Sequence, residues 1–346
     1  MISVRNLAVL RAIIEDFIAT NEPVASKSLV ERHNFGVSSA TIRNDMATLE
    51  EEGYIAAPHT SSGRVPTDKG YRVFVDQLLQ AEAESLEIRK SFSELKKQFS
   101  KTLTQITDLD EKLETSAQML AKATGEAAVI QYPHLTSVLV RSIEMVRVSS
   151  NRALVILITE SERIQQHLVV FPSEVSEESL AQFRAKLNTV AVGKLIDELP
   201  GLLSGVLETV SQTDKPLVQV LIDGVVALIS SNKQDKIAFA GATNLVRNED
   251  QFGGGLPSLL ETIDQQKDLF TFLNSSKLES TQPKAIIGSE NSVVELTNSS
   301  LLLSSYHNQG EELAKVAVVG PTRMNYSKNL AAVLALAHLL SNDIEE

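Results

Sequence analysis

Between residues 4 and 20 apolar side chains return every three or four positions, at Leu7, Leu10, Ile14, Phe17 and Ile18, with Arg5, Arg11, Glu15 and Asp16 between them. That spacing predicts an amphipathic helix. Asn21-Glu22-Pro23 ends it, because proline drives the preceding residue out of helical angles. Ser26 is read as the N-cap of a short second helix over 27–33, with Leu29 and Val30 turned inward. Asn34-Phe35-Gly36 makes a turn in which Gly36 supplies a positive φ. A third helix is predicted from Ser38 to about Glu52, with Ile42, Met46 and Leu49 inside and Thr41, Arg43, Asn44, Asp45 and Thr48 outside; Gly53 stops it.

Tyr54-Ile55-Ala56-Ala57 reads as a short strand, His59 to Arg64 as a polar turn, and Val65-Pro66-Thr67 as the returning strand. A helix from Asp68 to about Leu79 follows. Three helices, a hairpin and a trailing helix predict a winged helix-turn-helix over residues 1–80.

From Glu84 to Ala123, Phe92, Phe99, Ile106, Leu113 and Leu120 recur every seven residues. The repeat fits a coiled coil, yet Thr102 and Ser116 occupy intermediate positions, which favours helices packed on a neighbouring sheet. Thr107-Asp108 is a capping point, so a linker helix is expected over 81–107. Alternating segments at 137–148, 153–159 and 164–171 predict a three-stranded meander. A largely helical stretch over 176–232 follows, then a strand at 237–241 and a helix from 257 to 273. Further strands at 285–288, 300–306 and 314–319 precede a last helix over 327–340. Strands, a helical block and strands again predict a multidomain α+β chain in which one α+β domain, 108–172 with 281–346, is interrupted by a mostly helical insertion over 173–280.

Composition narrows the function. The 346 residues are 43% apolar and 22% charged, ample for two or three packed domains. Cysteine is absent, which excludes disulfides, thiolate metal sites and a cysteine nucleophile. No apolar run approaches the length of a membrane span, no cleavable signal follows Arg5 and Arg11, and the protein is expected to be cytoplasmic. The net charge is −12; residues 1–79 carry eight Lys/Arg against ten Asp/Glu, so −2, and the remainder −10. A non-specific polycation is therefore excluded, and a DNA binder of this charge must draw its discrimination from base contacts.

The third helix is the strongest candidate surface. Its first turn, Ser38-Ser39-Ala40-Thr41, offers backbone N–H groups and hydroxyls to a phosphate. Arg43 can donate twice to guanine and Asn44 can pair with adenine, while small Ala40 permits close approach. At the wing, His59, Thr60, Ser62 and Arg64 are suited to phosphate or minor-groove contact, and Gly63 is expected in a left-handed turn. Either surface would otherwise be a plain solvated one. Gly253-Gly254-Gly255 lacks the spacing of a phosphate loop. The six histidines show no metal-ligand spacing, and no nucleophile context is recognisable. No catalytic, cofactor or metal residue is assigned, and an enzyme is not expected. Gly320 to Tyr326 is read as a strand-to-helix connection, with Asn325 capping and Arg323 bonding a carbonyl or carboxylate, in preference to a ligand loop.

Ser38 to Met46, Pro58-His59-Thr60-Ser61, Gly63-Arg64-Val65-Pro66-Thr67 and Gly70-Tyr71-Arg72 resemble the N-terminal signature of the heat-inducible transcription repressors of the HrcA type. Ile287-Gly288-Ser289-Glu290-Asn291 and Gly320-Pro321-Thr322-Arg323-Met324-Asn325-Tyr326 resemble the C-terminal one. The resemblance implies a winged helix, a GAF-like domain and a dimerisation domain inserted in it. It further implies a homodimer on an inverted-repeat operator of chaperone and chaperonin operons, with the chaperonin as modulator and heat relieving repression. A metabolite-responsive regulator with an effector in the GAF-like domain is the alternative. A catalytic sensor with a DNA-binding appendage is a third reading, and no residue supports it.

Overall fold

Ser3 opens the first helix by accepting the Asn6 amide at 3.1 Å, and α1 (Val4–Thr20) ends at Asn21, whose left-handed φ of 58° returns its N–H to the Phe17 carbonyl. The computed structural model describes residues 2–59, 62–81, 85–133, 138–160, 164–232, 236–265, 269–270, 273–274, 282–291, 296–308 and 311–345. Helix α2 (Ser26–Arg32) starts one residue earlier than expected. Ala25 stands at its N-cap, while Ser26 lies inside the helix and faces the Ser39 hydroxyl at 3.3 Å. Gly36 has the expected positive φ, 66°, and leads into α3 (Ser39–Glu51).

Strands β1 (Ile55–Ala56) and β2 (Val65–Pro66) pair antiparallel, and Val24 and Arg64 exchange two backbone hydrogen bonds of 2.8 Å beside them. Helix α4 (Asp68–Ala81) follows. Ile13, Leu29, Ile42, Leu49, Ile55 and Val75 are buried together, so the apolar stripes of these helices close on one core.

Helix α5 (Leu86–Leu103) packs along the last helix, α12 (Tyr326–Glu345), and α6 (Leu109–Thr124) packs on the sheet strand that follows it. Asp108 caps α6 by accepting the Glu111 amide at 2.8 Å. Phe99, Leu113 and Leu120 are buried in this packing, which accounts for the seven-residue repeat without a coiled coil. The expected linker over 81–107 is thus a core helix: Ile88, Phe99 and Leu103 share the same hydrophobic cluster as the first helices.

The five-stranded antiparallel sheet runs β7-β3-β10-β9-β8, from β3 (Ala127–Gln131), β7 (Ile237–Ala240), β8 (Lys284–Ile287), β9 (Ser299–Asn308) and β10 (Glu311–Pro321). Every residue of β3 is buried. Ala128 and Ile130 face the α5–α6–α12 side, whereas Ala127 and Val129 face Leu245, Phe252 and Leu259 from α10 (Ala242–Arg247), α11 (Leu256–Asp264) and the turn between them. α11 covers the first part of the helix expected over 257–273; of the rest, 269–270 and 273 are helical, and 266–268 and 271–272 lie outside the described residues.

The chain divides into two compact units, Met1–Tyr132 with Asp235–Glu346, and Pro133–Gln234. The second has its own sheet, β4 (Val140–Ser149), β5 (Arg152–Thr159) and β6 (Ile164–Val170) in the order β4-β5-β6, with α7 (Glu177–Ala191), α8 (Leu199–Val206) and α9 (Lys215–Asn232). This corrects the expected boundaries of 108–172 and 173–280. The meander belongs to the insertion because its buried face, Ala153, Val155 and Leu157, closes on Leu187, Leu221 and Val225 of its own helices. Strand β7, expected inside the insertion, instead pairs with β3. The architecture is α+β throughout.

Candidate nucleic-acid interface

Helix α3 buries Ile42, Met46 and Leu49 and leaves Ala40, Arg43, Asn44 and Thr48 exposed. Ser38 is its N-cap: Oγ accepts the Thr41 amide at 3.3 Å and lies 3.1 Å from the Thr41 hydroxyl. Two of the expected hydroxyls thereby hold each other, and the Ser39 hydroxyl faces Ser26. What the first turn keeps for an anion is the backbone N–H of Ser39 and Ala40.

Asp45 departs from expectation. It is buried, because Arg5 reaches across from α1 and donates from Nε and Nη2 to its two oxygens at 2.8 and 2.9 Å. The hydrogen bond to Asp45 raises the Arg5 pKa above its ordinary value. This bidentate pair fixes α3 on α1 and spends the acid of the outer face inside the fold.

The β1–β2 hairpin departs further. Ser62 Oγ accepts the His59 amide at 2.9 Å and donates to the His59 carbonyl at 2.7 Å, so it shapes the turn, while the His59 side chain stays exposed. Thr60 lies outside the described residues. Gly63 is not left-handed; it is glycine because a Cβ would come within 2.6 Å of the Pro23 and Val24 carbonyl oxygens. Arg64 donates through Nε to Glu50 Oε2 at 2.8 Å and through Nη1 to the Ser62 carbonyl at 3.2 Å. It is held at the foot of the β1–β2 hairpin by the C-terminal turn of α3.

Across residues 1–79 the cations are mostly spent. Arg5 pairs with Asp45, Arg11 with Glu15, Lys27 with Glu31, Arg32 with Asp16, Arg64 with Glu50 and Arg72 with Asp76 and Glu290, while Lys69 donates to the Glu52 carbonyl. Among the described residues of this segment, Arg43 is the cation with no partner in the chain. A guanidinium left open beside Asn44, on a helix whose other face is fully packed, is free to engage an external acceptor.

A second cluster joins the C-terminal motifs to the first helices; the roles of Arg323 and Asn325 in it follow the sequence reading, and the rest was not anticipated. Arg323 Nη1 donates to the Phe17 and Ile18 carbonyls at 3.4 and 3.2 Å, the last turn of α1. Asn325 caps α12 by accepting the Lys328 amide at 3.1 Å. Asp68 Oδ2 accepts the Ser289 amide and hydroxyl at 2.9 and 2.8 Å. Arg72 donates from Nε to Glu290 Oε1 at 2.7 Å, from Nη2 to Glu290 Oε2, and to the Ala285 carbonyl at 2.8 Å. The acidic and basic members lie more than two hundred positions apart, so no local pattern signals them. Nearby, burial pushes the Glu126 carboxyl up to about 8 against the pull of Lys328 and Arg323, and its Oε2 has no hydrogen-bond partner.

Among the described residues no group of three or more His, Cys, Asp or Glu is placed to hold a metal ion, and no described helix is long and apolar enough to cross a membrane. Residues 110–330 match the family model of the HrcA protein C-terminal domain. Heat-inducible transcription repressor HrcA of Leifsonia xyli subsp. xyli is 41% identical over 99% of this chain and 98% of its own length. The protein of the same description from Clavibacter michiganensis subsp. michiganensis is 40% identical over the whole of both chains. The chain belongs to the HrcA family. A crystal structure described as a hypothetical protein, 22% identical with a TM-score of 0.66, covers 100% of this chain and 99% of its own, and supports the fold of this HrcA chain. As a family member the chain is a heat-shock transcriptional repressor.

Proposed function

We propose that the chain represses chaperone and chaperonin operons as a homodimer, each copy placing α3 in the major groove of one half of an inverted repeat. Helices α1–α3 with the β1–β2 hairpin act as a winged helix-turn-helix, and the five-stranded body as a GAF-like domain. The observation that carries this reading is Arg43, unpartnered on the solvent face of α3 with Asn44 beside it, Ala40 small, and the N–H groups of Ser39 and Ala40 open at the helix start. His59 and the Ser62 turn would follow the backbone at the wing, with Thr60 between them. Arg64 contributes to phosphate binding only if it leaves Glu50. The role is binding; no catalytic step is assigned.

The dimer is supported by the insertion. The β4–β6 sheet turns one face to its helices, and the other carries Val146, Leu154 and Leu168 in cross-strand register, with Ile158 opposite Ile164 two rows on, beyond the row of Glu144, Ile156 and Gln166. Val146, Leu168 and Ile164 are 51%, 45% and 68% exposed. An apolar strip of this kind is unusual on a free surface, and a twofold protein suits a twofold operator. The face lies on 140–170, ahead of the segment expected to dimerise.

Modulation by the chaperonin rests on the family resemblance. A gel-shift series with purified protein and the promoter of a chaperonin operon, with and without chaperonin, before and after mild heating, tests the whole reading. Retarded DNA that the chaperonin enhances and heating abolishes is expected; failure to retard that promoter under every condition would overturn it.

The effector-responsive alternative is favoured by one observation: Glu126 Oε2 and both polar atoms of Asn329 are buried without partners near the start of α12. A small molecule that raises the melting temperature and releases DNA would select it.

A further inference from the structure

We propose that Asp68, Arg72 and Arg323 are positioning residues that lock α3 to the five-stranded body and so set the half-site spacing the repressor accepts. This rests on the winged-helix reading above. The body grips the first helices at two places. The turn after β8 holds α4: Ser289 donates twice to Asp68, and Glu290 receives both Nε and Nη2 of Arg72. The Glu290 carboxylate is itself oriented, because Oε2 accepts the Ile287 amide at 2.9 Å. Gly288 has a φ of 50°, and a Cβ there would overlap the Asp68 carboxylate, so the turn closes on α4 without a side chain between.

The loop before α12 holds α1. Arg323 places its charge on the carbonyls that end α1, where the helix dipole favours a cation. Between the two grips the Tyr71 and Tyr326 rings lie 5.9 Å apart. From α1 the connection continues to α3 through Arg5 and Asp45. Rotation of α3 against the body therefore has to break charge-assisted hydrogen bonds at Arg72 or Arg323, and these are stronger and more directional than neutral ones.

Two recognition helices on an inverted repeat must lie a whole number of helical turns apart. A headpiece locked to the five-stranded body presents α3 in one orientation, and a pair of such headpieces accepts few spacings. A headpiece freed from these two grips would tolerate other spacings. Polar connectors of this kind add directionality where apolar packing alone would add stability.

The test uses the full chain. Wild-type protein selects an inverted repeat from a randomised duplex pool, and its affinity is measured for that repeat and for one whose half-sites are moved apart by about five base pairs, half a helical turn. The wild type is expected to lose roughly 100-fold on the altered repeat, as simultaneous engagement fails. Arg72→Ala is expected to narrow that ratio to within about ten-fold, because freed headpieces reach both spacings. The milder pair Asp68→Asn with Ser289→Ala carries the same expectation should Arg72→Ala fail to fold. A ratio unchanged in the folded variants, including an equal loss on both duplexes, would overturn the proposal, since a purely structural role lowers both alike. Selection of no inverted repeat by the wild type would instead sink the repressor reading on which it rests.

Discussion

Arg64 and Glu50 are joined through Nε and Oε2 at 2.8 Å, so the cation nearest the wing turn is neutralised by the far end of the helix that carries Arg43. Glu50→Gln removes the negative charge that neutralises Arg64 and weakens its hold. We expect the variant to bind non-cognate duplexes more tightly, with the slope of log affinity against log salt steeper by about one, as for one added phosphate contact. Fluorescence anisotropy across a salt series reads this directly, and an unchanged slope would show that Arg64 stays away from the backbone.

Arg43 has no partner to lose among the described residues. Arg43→Ala should therefore leave the melting temperature unchanged while costing about 1–3 kcal/mol of operator binding and relaxing discrimination at one base pair. Titration of matched and singly mismatched duplexes measures both effects. A wild-type profile would remove Arg43 from the recognition surface.

Glu126 links stability to pH. Its carboxyl, raised to about 8 by burial, keeps its proton in the folded chain at pH values where an unfolded glutamate has lost it. The folded state binds the extra proton, so the contribution is fully present below the unfolded pKa and disappears as pH rises through about 8. Glu126→Gln should melt close to wild type near about pH 5 and above it near about pH 9. Calorimetry at the two values decides, and an equal difference at both would show that this carboxyl titrates normally.

Leu154 occupies the centre of the apolar sheet face, flanked by Val146 and Leu168. Leu154→Asp places an unpaired charge where the second copy is proposed to sit, and should convert the dimer to a monomer at micromolar concentration with the secondary structure intact. Sedimentation equilibrium supplies the mass. A dimer that persists would move the interface elsewhere.

Local order was legible wherever periodicity and punctuation agreed. The helices around Ile14, Ile42 and Leu120 follow from spacing alone, and the end of α1 and the turn at Gly36 follow from Pro23 and a glycine. Partnership across the chain was not. Asp45 looked solvent-facing because helical spacing reports a face and cannot report that Arg5 would cover it. Gly63 was recognisable as necessary, but a turn and a close approach ask for the same residue, and only the Pro23 carbonyl beside it distinguishes them. The meander over 140–170 alternates as any half-buried strand does. Nothing in that alternation says whether its apolar face meets Leu221 of α9 or the helices of the main body. At the candidate site, the residue types of α3 pointed to DNA, whereas the commitment of Arg64 to Glu50 needed three dimensions.

Tyr132 donates its amide to the Lys236 carbonyl at 3.1 Å, so the chain leaves β3 and re-enters β7 at adjoining ends of two antiparallel neighbours. In sequence, the compact unit Pro133–Gln234 is inserted between these two paired strands. A hairpin turn of a few residues in place of the inserted unit is expected to preserve the β3–β7 register, so the unit Met1–Tyr132 with Asp235–Glu346 should fold without it.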